Sequence, residues 1–299
     1  MSERSATAKM KALSLLRRLK AAIRGFAAAP APRARTDIGN GGYFYLGPNL
    51  ALTRLNDGHH LYVDPQDESV GIHLIARGRW EDWVYKVAIA LVSEGDHVIE
   101  VGANFGYYSV GMALKAGPHG SVTALEANPA LADYLKRSVN FNGYNKRIFV
   151  VQKAASDVNG TVQFTSSPRN AGGGHLFIEH AHLGPDTKVY NVETVKLDDL
   201  DTPAPKLIRI DAEGSEPLIL RGAERLLRRP DICVCMEWDV LQMSSRSDVP
   251  SLIDWLTGLG FRFWRIGPDS SLNLTQSEQL PGLPACDIVM ARSRPFSTE

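Results

Sequence analysis

Acidic residues at the ends of apolar runs carry most of the chemistry available to this sequence. The run ending at Glu100-Val101 gives way to Gly102-Ala103-Asn104-Phe105-Gly106. Glycines there let backbone amides approach a ligand closely and let a helix start tight against a sheet. The spacing is Gly-x-x-x-Gly and lacks the middle glycine of the dinucleotide fingerprint, which disfavours a diphosphate. A second run ends in Leu125-Glu126, where a carboxylate can accept both hydroxyls of a ribose. A third closes on Ile210-Asp211-Ala212-Glu213 and a fourth on Met236-Glu237. A rim of Glu100, Glu126, Asp211, Glu213 and Glu237 suits a cationic ligand and disfavours a polyphosphate.

The elements that must hold these residues follow from periodicity. Residues 97–101, 121–125, 147–151, 207–210 and 232–236 are short apolar runs of the kind buried on both faces of a parallel sheet. Helices alternate with them. Asn128-Pro129 caps one whose inward stripe is Leu131, Leu135 and Val139. Ser215 and Pro217 open another, with stripe Ile219, Ala223 and Leu226, ending before Pro230. Pro250 opens a third, and residues 261–266 and 287–291 close the chain as late strands. The fold class is therefore α/β, with a mostly parallel sheet, helices on both faces and ligands at the strands' C-terminal ends. Upstream, residues 43–45, 51–55 and 60–64 read as strands, the last two as a hairpin. Residues 72–76 and 83–91 read as helices, with Trp80 and Trp83 assigned to core packing. The expected organisation is a basic segment and Ala/Pro linker at 1–35, a small cap at 36–92 and the main domain at 93–299.

Composition bounds the partners. Nine Lys/Arg and one acid fall within residues 1–35, so the remainder holds 24 basic and 32 acidic residues, about −8. That balance argues against duplex nucleic acid, whose binding runs on phosphate neutralisation. Leu15, Leu16, Leu19, Ile23 and Phe26 share one helical face flanked by Lys and Arg, so residues 9–26 form a basic amphipathic pattern suited to peripheral membrane contact. No run of about 18 apolar residues is present to span a bilayer, and the expected location is cytoplasmic, with that segment at the membrane's inner face. Cys233, Cys235 and Cys286 cannot form a disulfide framework, and alternation puts Cys233 and Cys235 on one strand face. His175, His180 and His182 have no familiar ligand spacing, so no metal is expected. Residues 169–175, rich in glycine, read as a mobile loop able to contact substrate.

Five motifs in order then carry a resemblance: Val98-Ile-Glu-Val-Gly-Ala-Asn-Phe-Gly-Tyr-Tyr-Ser109, Ala124-Leu-Glu-Ala-Asn-Pro129, Lys153-Ala-Ala-Ser-Asp157 with Gly160, Val195-Lys-Leu-Asp-Asp-Leu200, and Leu207-Ile-Arg-Ile-Asp-Ala-Glu-Gly-Ser-Glu216. Together they resemble the FkbM methyltransferase family over roughly residues 95–237. Glu100 stands where Asp is usual and Ala212 where Val is usual. The resemblance implies a Rossmann-like class I methyltransferase sheet of seven strands with an antiparallel last strand. It implies O-methylation with S-adenosyl-L-methionine of a hydroxyl on a sugar, glycan or secondary metabolite. The cofactor-binding positions it implies are Glu100, Gly102, Asn104 and Gly106 for the methionine part, Glu126 with Ala127 and Asn128 for the ribose, Ala155 and Ser156 beside the adenine, and Asp211. If an alcohol is methylated, a group within hydrogen-bond reach must take its proton. Asp211 and Glu213 are the first candidates, then Glu237, with His175 a fourth. Two other readings of the residues stand beside this one: an NAD-dependent oxidoreductase and a non-catalytic, membrane-associated scaffold.

Overall fold

The apolar runs assemble as the periodicity requires, in a computed structural model that describes residues 42–167, 169–176 and 186–296. The basic amphipathic segment, the linker, His180 and His182 lie outside the described residues. The chain enters through a three-stranded antiparallel meander, β1 (Tyr43–Gly47), β2 (Leu50–Arg54) and β3 (His60–Val63), followed by α1 (Val70–Arg77) and α2 (Asp82–Ala90). It then alternates through β4 (His97–Val101), α3 (Tyr107–Ala116), β5 (Ser121–Leu125), α4 (Pro129–Phe141) and β6 (Ile148–Val151). A four-stranded side sheet follows, formed by β7 (Ala154–Ala155), β8 (Gly160–Ser167), β9 (Asn170–Leu176) and β10 (Lys188–Val195). The main sheet resumes with β11 (Leu207–Ile210), α5 (Glu216–Arg221), α6 (Glu224–Leu227) and β12 (Cys233–Trp238). It ends with α7 (Val240–Met243), α8 (Val249–Gly258), β13 (Arg262–Ile266), β14 (Leu272–Thr275) and β15 (Cys286–Ala291).

The main sheet runs β14-β13-β15-β12-β11-β4-β5-β6. Strands β12, β11, β4, β5 and β6 are mutually parallel, and β15 is antiparallel to both of its neighbours. This is the Rossmann-like class I methyltransferase arrangement, with the expected antiparallel last strand. One strand exceeds the expectation: β14 pairs antiparallel with β13 as an eighth member. It is only four residues long and has two exposed central positions, so it lacks an apolar run.

Alternation along the strands gives the sheet a core on each face. Val98 and Cys235 pack with α3 and α4 in one cluster, while Ile99, Val234 and Met236 pack with α5 and α8 in the other. Cys233 joins Cys235 on the first face, as expected. The first cluster also takes Ala51, Leu61, Leu74 and Val87, so residues 42–92 share a core with the main sheet, and Gly42–Glu299 form one unit. On α2 the buried stripe is Val84, Val87 and Ala88, and Trp83 is 41% exposed, which corrects its assignment to the core.

Helix ends follow local chemistry. The Asn128 side chain accepts from Ala130 N–H at 3.0 Å, with Pro129 in the first turn. The single helix expected after Ser215 is two. Asp198 accepts from the N–H groups of Arg225 and Leu226 at 2.7 and 2.9 Å and so starts α6 as a separate turn. Among the described residues no helix is long and apolar enough to cross a membrane.

Leu135 on α4 is fully buried, and its Cδ1 lies 2.6 Å from where a Cβ on Gly106 would stand. It therefore packs the core directly behind the first glycine loop. Leu135→Ala is expected to cost about 2–5 kcal/mol, read as a lower urea midpoint at an unchanged slope.

Candidate functional site

The strand order reverses between β4 and β11, which is where open α/β sheets bind ligands. The two strand ends are pressed together. Gly102 has φ +79°, and a Cβ there would stand 1.9 Å from the Asp211 carbonyl oxygen. Every amide of the turn is already used. Gly102 and Ala103 N–H both donate to Leu125 O at 3.0 Å, Asn104 N–H to Glu126 Oε2 at 2.8 Å, Phe105 N–H to Asn104 Oδ1 at 2.8 Å and Gly106 N–H to Ala103 O at 2.9 Å. The amides of Gly102–Gly106 are thus not free for a diphosphate, which weighs against the oxidoreductase reading.

The loop opens onto a cavity of about 710 Å³. Gly102, Asn104, Glu126, Ala127 and Ala155 line it on the β4–β5 side, and Asp211, Glu213 and Glu237 on the other. Glu126 is 6% exposed, and its two oxygens accept from Asn104 N–H and Asn128 N–H at 2.8 Å each. These bonds fix the carboxylate and leave further lone pairs for a diol. Burial pushes its pKa up to about 7, against the lowering effect of those amide bonds.

Four of the expected positions do not line the cavity. Glu100 is fully buried in the sheet, accepts from the Ser109 hydroxyl and lies 3.8 Å from Arg209 Nη1. It therefore acts below the floor and does not face a cationic ligand. Gly106 backs onto Leu135, and Asn128 caps α4 while donating to Ser166 Oγ. Ser156 is held inward by its N–H to Val195 O, and a Cβ on Gly222 would stand 1.9 Å from its carbonyl oxygen. The expected mobile loop at 169–175 is also corrected. It is strand β9, paired antiparallel with β8, and its glycines let the main chain form a cavity wall close to Asn104. His175 lines the cavity from this wall, its Nδ1 3.2 Å from Gly173 O.

Several cavity residues escaped sequence reasoning. Arg209 sits on β11 inside what reads as an apolar run and is 4% exposed. It donates to Asp211 Oδ2 at 2.9 Å and lies 3.6 Å above the Tyr108 ring. Its charge at a buried strand position was the available signal. Glu81, at the start of α2 with φ +43°, and Asp287, on β15, also line the cavity, and nothing local marks either. Trp80 and Trp83 line it as well.

The acids on this side crowd one another. Burial, with Asp211 and Glu213 nearby, pushes Glu237 up to about 9. Burial and Asp211 push Glu213 to about 7, and burial with Glu81 and Asp211 does the same for Asp287. The Glu237 Oε2 atom is buried without a hydrogen-bond partner among the described residues. This set of carboxyl groups suits a ligand that carries positive charge.

A carboxyl with a raised pKa favours the fold while protonated and loses that contribution as it ionises. Stability should therefore fall as pH rises from the ordinary glutamate value of 4.5, through the raised values of about 7 for Glu213 and about 9 for Glu237. The melting temperature at about pH 8.5 is expected below that at about pH 5.5, and Glu237→Gln should reduce the difference.

Comparison with known proteins places this geometry. The family model described as the methyltransferase FkbM domain matches residues 100–263, more than half of the chain. A hexuronic acid methyltransferase, AglP, from Haloferax volcanii is 25% identical over 154 residues, covering 50% of this chain and 59% of that protein. A protein-L-isoaspartate O-methyltransferase from Ignicoccus hospitalis is 39% identical over 61 residues, covering 20% of this chain and 29% of that one. The chain thus spans less than two thirds of the length of either relative. The crystal structure of methyltransferase FkbM from Methylobacillus flagellatus KT superposes with a TM-score of 0.44 at 15% identity, over 68% of this chain and 47% of that chain. Since the matched region holds the glycine turn, the Glu126 carboxylate and the Asp211–Glu237 rim, the chain belongs to the FkbM methyltransferase family.

Proposed function

We propose that this chain transfers a methyl group from S-adenosyl-L-methionine, the cofactor of its family, to a hydroxyl of a sugar, glycan or secondary metabolite. The observation that carries the reading is the buried, amide-anchored Glu126 facing a cavity whose opposite rim is acidic. A ribose needs the first feature and a sulfonium suits the second, whereas a diphosphate would meet a loop whose Gly102–Gly106 amides are already bonded and a mostly acidic rim. The match to a hexuronic acid methyltransferase supports a sugar as acceptor.

When bound, the cofactor supplies a methyl carbon already activated by its sulfonium. The chain's own residues position and deprotonate the acceptor. Glu126 holds the ribose hydroxyls, and Ala155 and Ile219 offer apolar surface in the same cavity. Asp211, fixed by its bond from Arg209, accepts a hydrogen bond from the acceptor without leaving its place. Glu213 is the best-matched base, because a pKa of about 7 lets it be ionised yet basic near neutrality. Glu237, pushed to about 9, stays protonated at neutral pH and donates a hydrogen bond. Exposed Trp83 at the cavity lip helps to exclude water.

Calorimetric titration tests the cofactor half. S-adenosylhomocysteine is expected to bind the wild type and NAD not to bind, with Glu126→Ala weakening the former about 10- to 100-fold through the lost charged hydrogen bonds. Binding of NAD alone would overturn the proposal. For the chemical half, Glu213→Gln should lower kcat for labelled-methyl transfer to a sugar hydroxyl about 10²- to 10⁴-fold, with S-adenosylhomocysteine affinity unchanged. In the wild type kcat should rise with pH through about 7 as Glu213 ionises, and the variant should lose that rise.

A further inference from the structure

Tyr108, on the first turn of α3, lines the cavity although the residue is only 4% exposed. Its ring is clamped. The Arg209 guanidinium lies 3.6 Å from the ring centroid, and Tyr107 and Tyr85 pack at 5.4 and 5.6 Å between centroids. Phenylalanine would fill this place and meet the same neighbours, because none of these contacts needs the phenol oxygen. That oxygen is buried, and no group among the described residues meets it with hydrogen-bond geometry. Burial, then Asp211, push the Glu81 carboxyl up, and Arg209 and the nearby Tyr108 hydroxyl oppose them, yet Glu81 does not complete a bond to that hydroxyl. A buried hydroxyl left without a partner destabilises a fold, so its retention calls for a use.

The surroundings of the hydroxyl narrow its partner. The charged groups acting on it include Arg209, Glu81, Asp287 and Asp211, all of which line the cavity. Arg209 is already shared between Asp211 and Glu100. A ligand carboxylate or phosphate at this place would meet three acids and no free cation. Burial pushes the Tyr108 hydroxyl well above the ordinary tyrosine value, so it keeps its proton and donates. It wants a neutral oxygen, while Asp211 beside it wants a donor. An alcohol supplies both at one atom.

Backbone strain gathers round the same space. Among the described residues four non-glycines have positive φ, and three of them, Glu81, Asn104 and Glu213, line the cavity. Glu81 stands where α2 begins, yet its side chain makes no capping bond there. Conformations of this kind persist where they serve a site. A hydrogen bond from Tyr108 to the oxygen that attacks the methyl carbon would draw electron density from the nucleophile. The alcohol it holds is therefore a neighbour of the reacting one, and the clamped ring fixes where that neighbour sits.

Resting on the methyltransferase reading, we propose that the Tyr108 hydroxyl donates a hydrogen bond to a second hydroxyl of a polyhydroxylated acceptor, beside the one that is methylated. The test uses the full chain and Tyr108→Phe, which removes one oxygen and leaves the clamp. The ligand-free variant should melt at or above the wild-type temperature, and S-adenosylhomocysteine affinity should stay within about twofold. Labelled-methyl transfer is then measured on methyl glucoside and its monodeoxy analogues. One analogue that lacks a non-reacting hydroxyl should lose about tenfold in kcat/KM with the wild type. Tyr108→Phe should lose about tenfold on methyl glucoside and add no further loss on that analogue. A lower melting temperature, an unchanged kcat/KM, or an equal loss on every reactive analogue would overturn the proposal. So would a variant that loses S-adenosylhomocysteine affinity, which would assign the hydroxyl to the cofactor, or a wild type that binds S-adenosylhomocysteine and methylates none of the glycosides. Failure of S-adenosylhomocysteine to bind the wild type would instead defeat the methyltransferase reading itself.

Discussion

The buried guanidinium of Arg209 ties together the strands on which the cavity is built, because a charge can stay inside a sheet only when it is paired and its donors are used. It draws Asp211 on its own strand to 2.9 Å, lies 3.8 Å from Glu100 on β4, and rests 3.6 Å above the Tyr108 ring of α3. Three elements are thereby fixed around one cation. Asp211 reaches the cavity already oriented, and Glu100 can be an acid in a fully buried strand. Arginine suits this place better than lysine, since its planar fork meets two carboxylates while its face stacks on an aromatic ring.

A second constraint, purely steric, works beside the first. The β4 turn and the end of β11 approach so closely that only glycine fits at position 102, and the turn spends its amides on Leu125 O, on Glu126 and on itself. The two sides of the cavity therefore meet on one rigid seam. The walls come from elsewhere: the cap supplies Glu81, Trp80 and Trp83, and the side sheet supplies β9. Rigid backbone sets the distance between the two sides, while the appended elements shape the rest of the cavity.

Much of this was readable from the residues alone. The alternation of apolar runs and capped helices gives the parallel sheet, because burial on both faces leaves a plain pattern. Gly102, Glu126, Asp211, Glu213 and Glu237 reach the cavity because strand ends at a switch point have one way to face. What stayed hidden depends on contacts distant in sequence. Asp287 matters through its register with Glu237, which no local window contains. Glu100 has the type of a ligand residue and shares a sheet face with Asp211, yet it lies two residues lower, covered by Ser109 and Arg209. The glycines of β9 carry a turn signature, and only pairing with β8 makes them a strand. Helix-capping residues such as Asn128 hold the site by its frame and never touch its contents.

The β9 wall limits which substitutions the cavity can take. A methyl group added at Gly172 would stand 2.8 Å from Asn104 Nδ2, and one at Gly174 would stand 2.5 Å from the Phe164 ring. This side of the chamber is contoured by peptide units, and the genetic code offers selection almost no substitution there that leaves the contour intact. A change in the cavity's shape is sterically easier at the partly exposed Trp83 than at these glycines. Only the stretch Gly172–Gly174 of this wall is bare backbone, and Asn170 and His175 flank it with the side chains the wall presents.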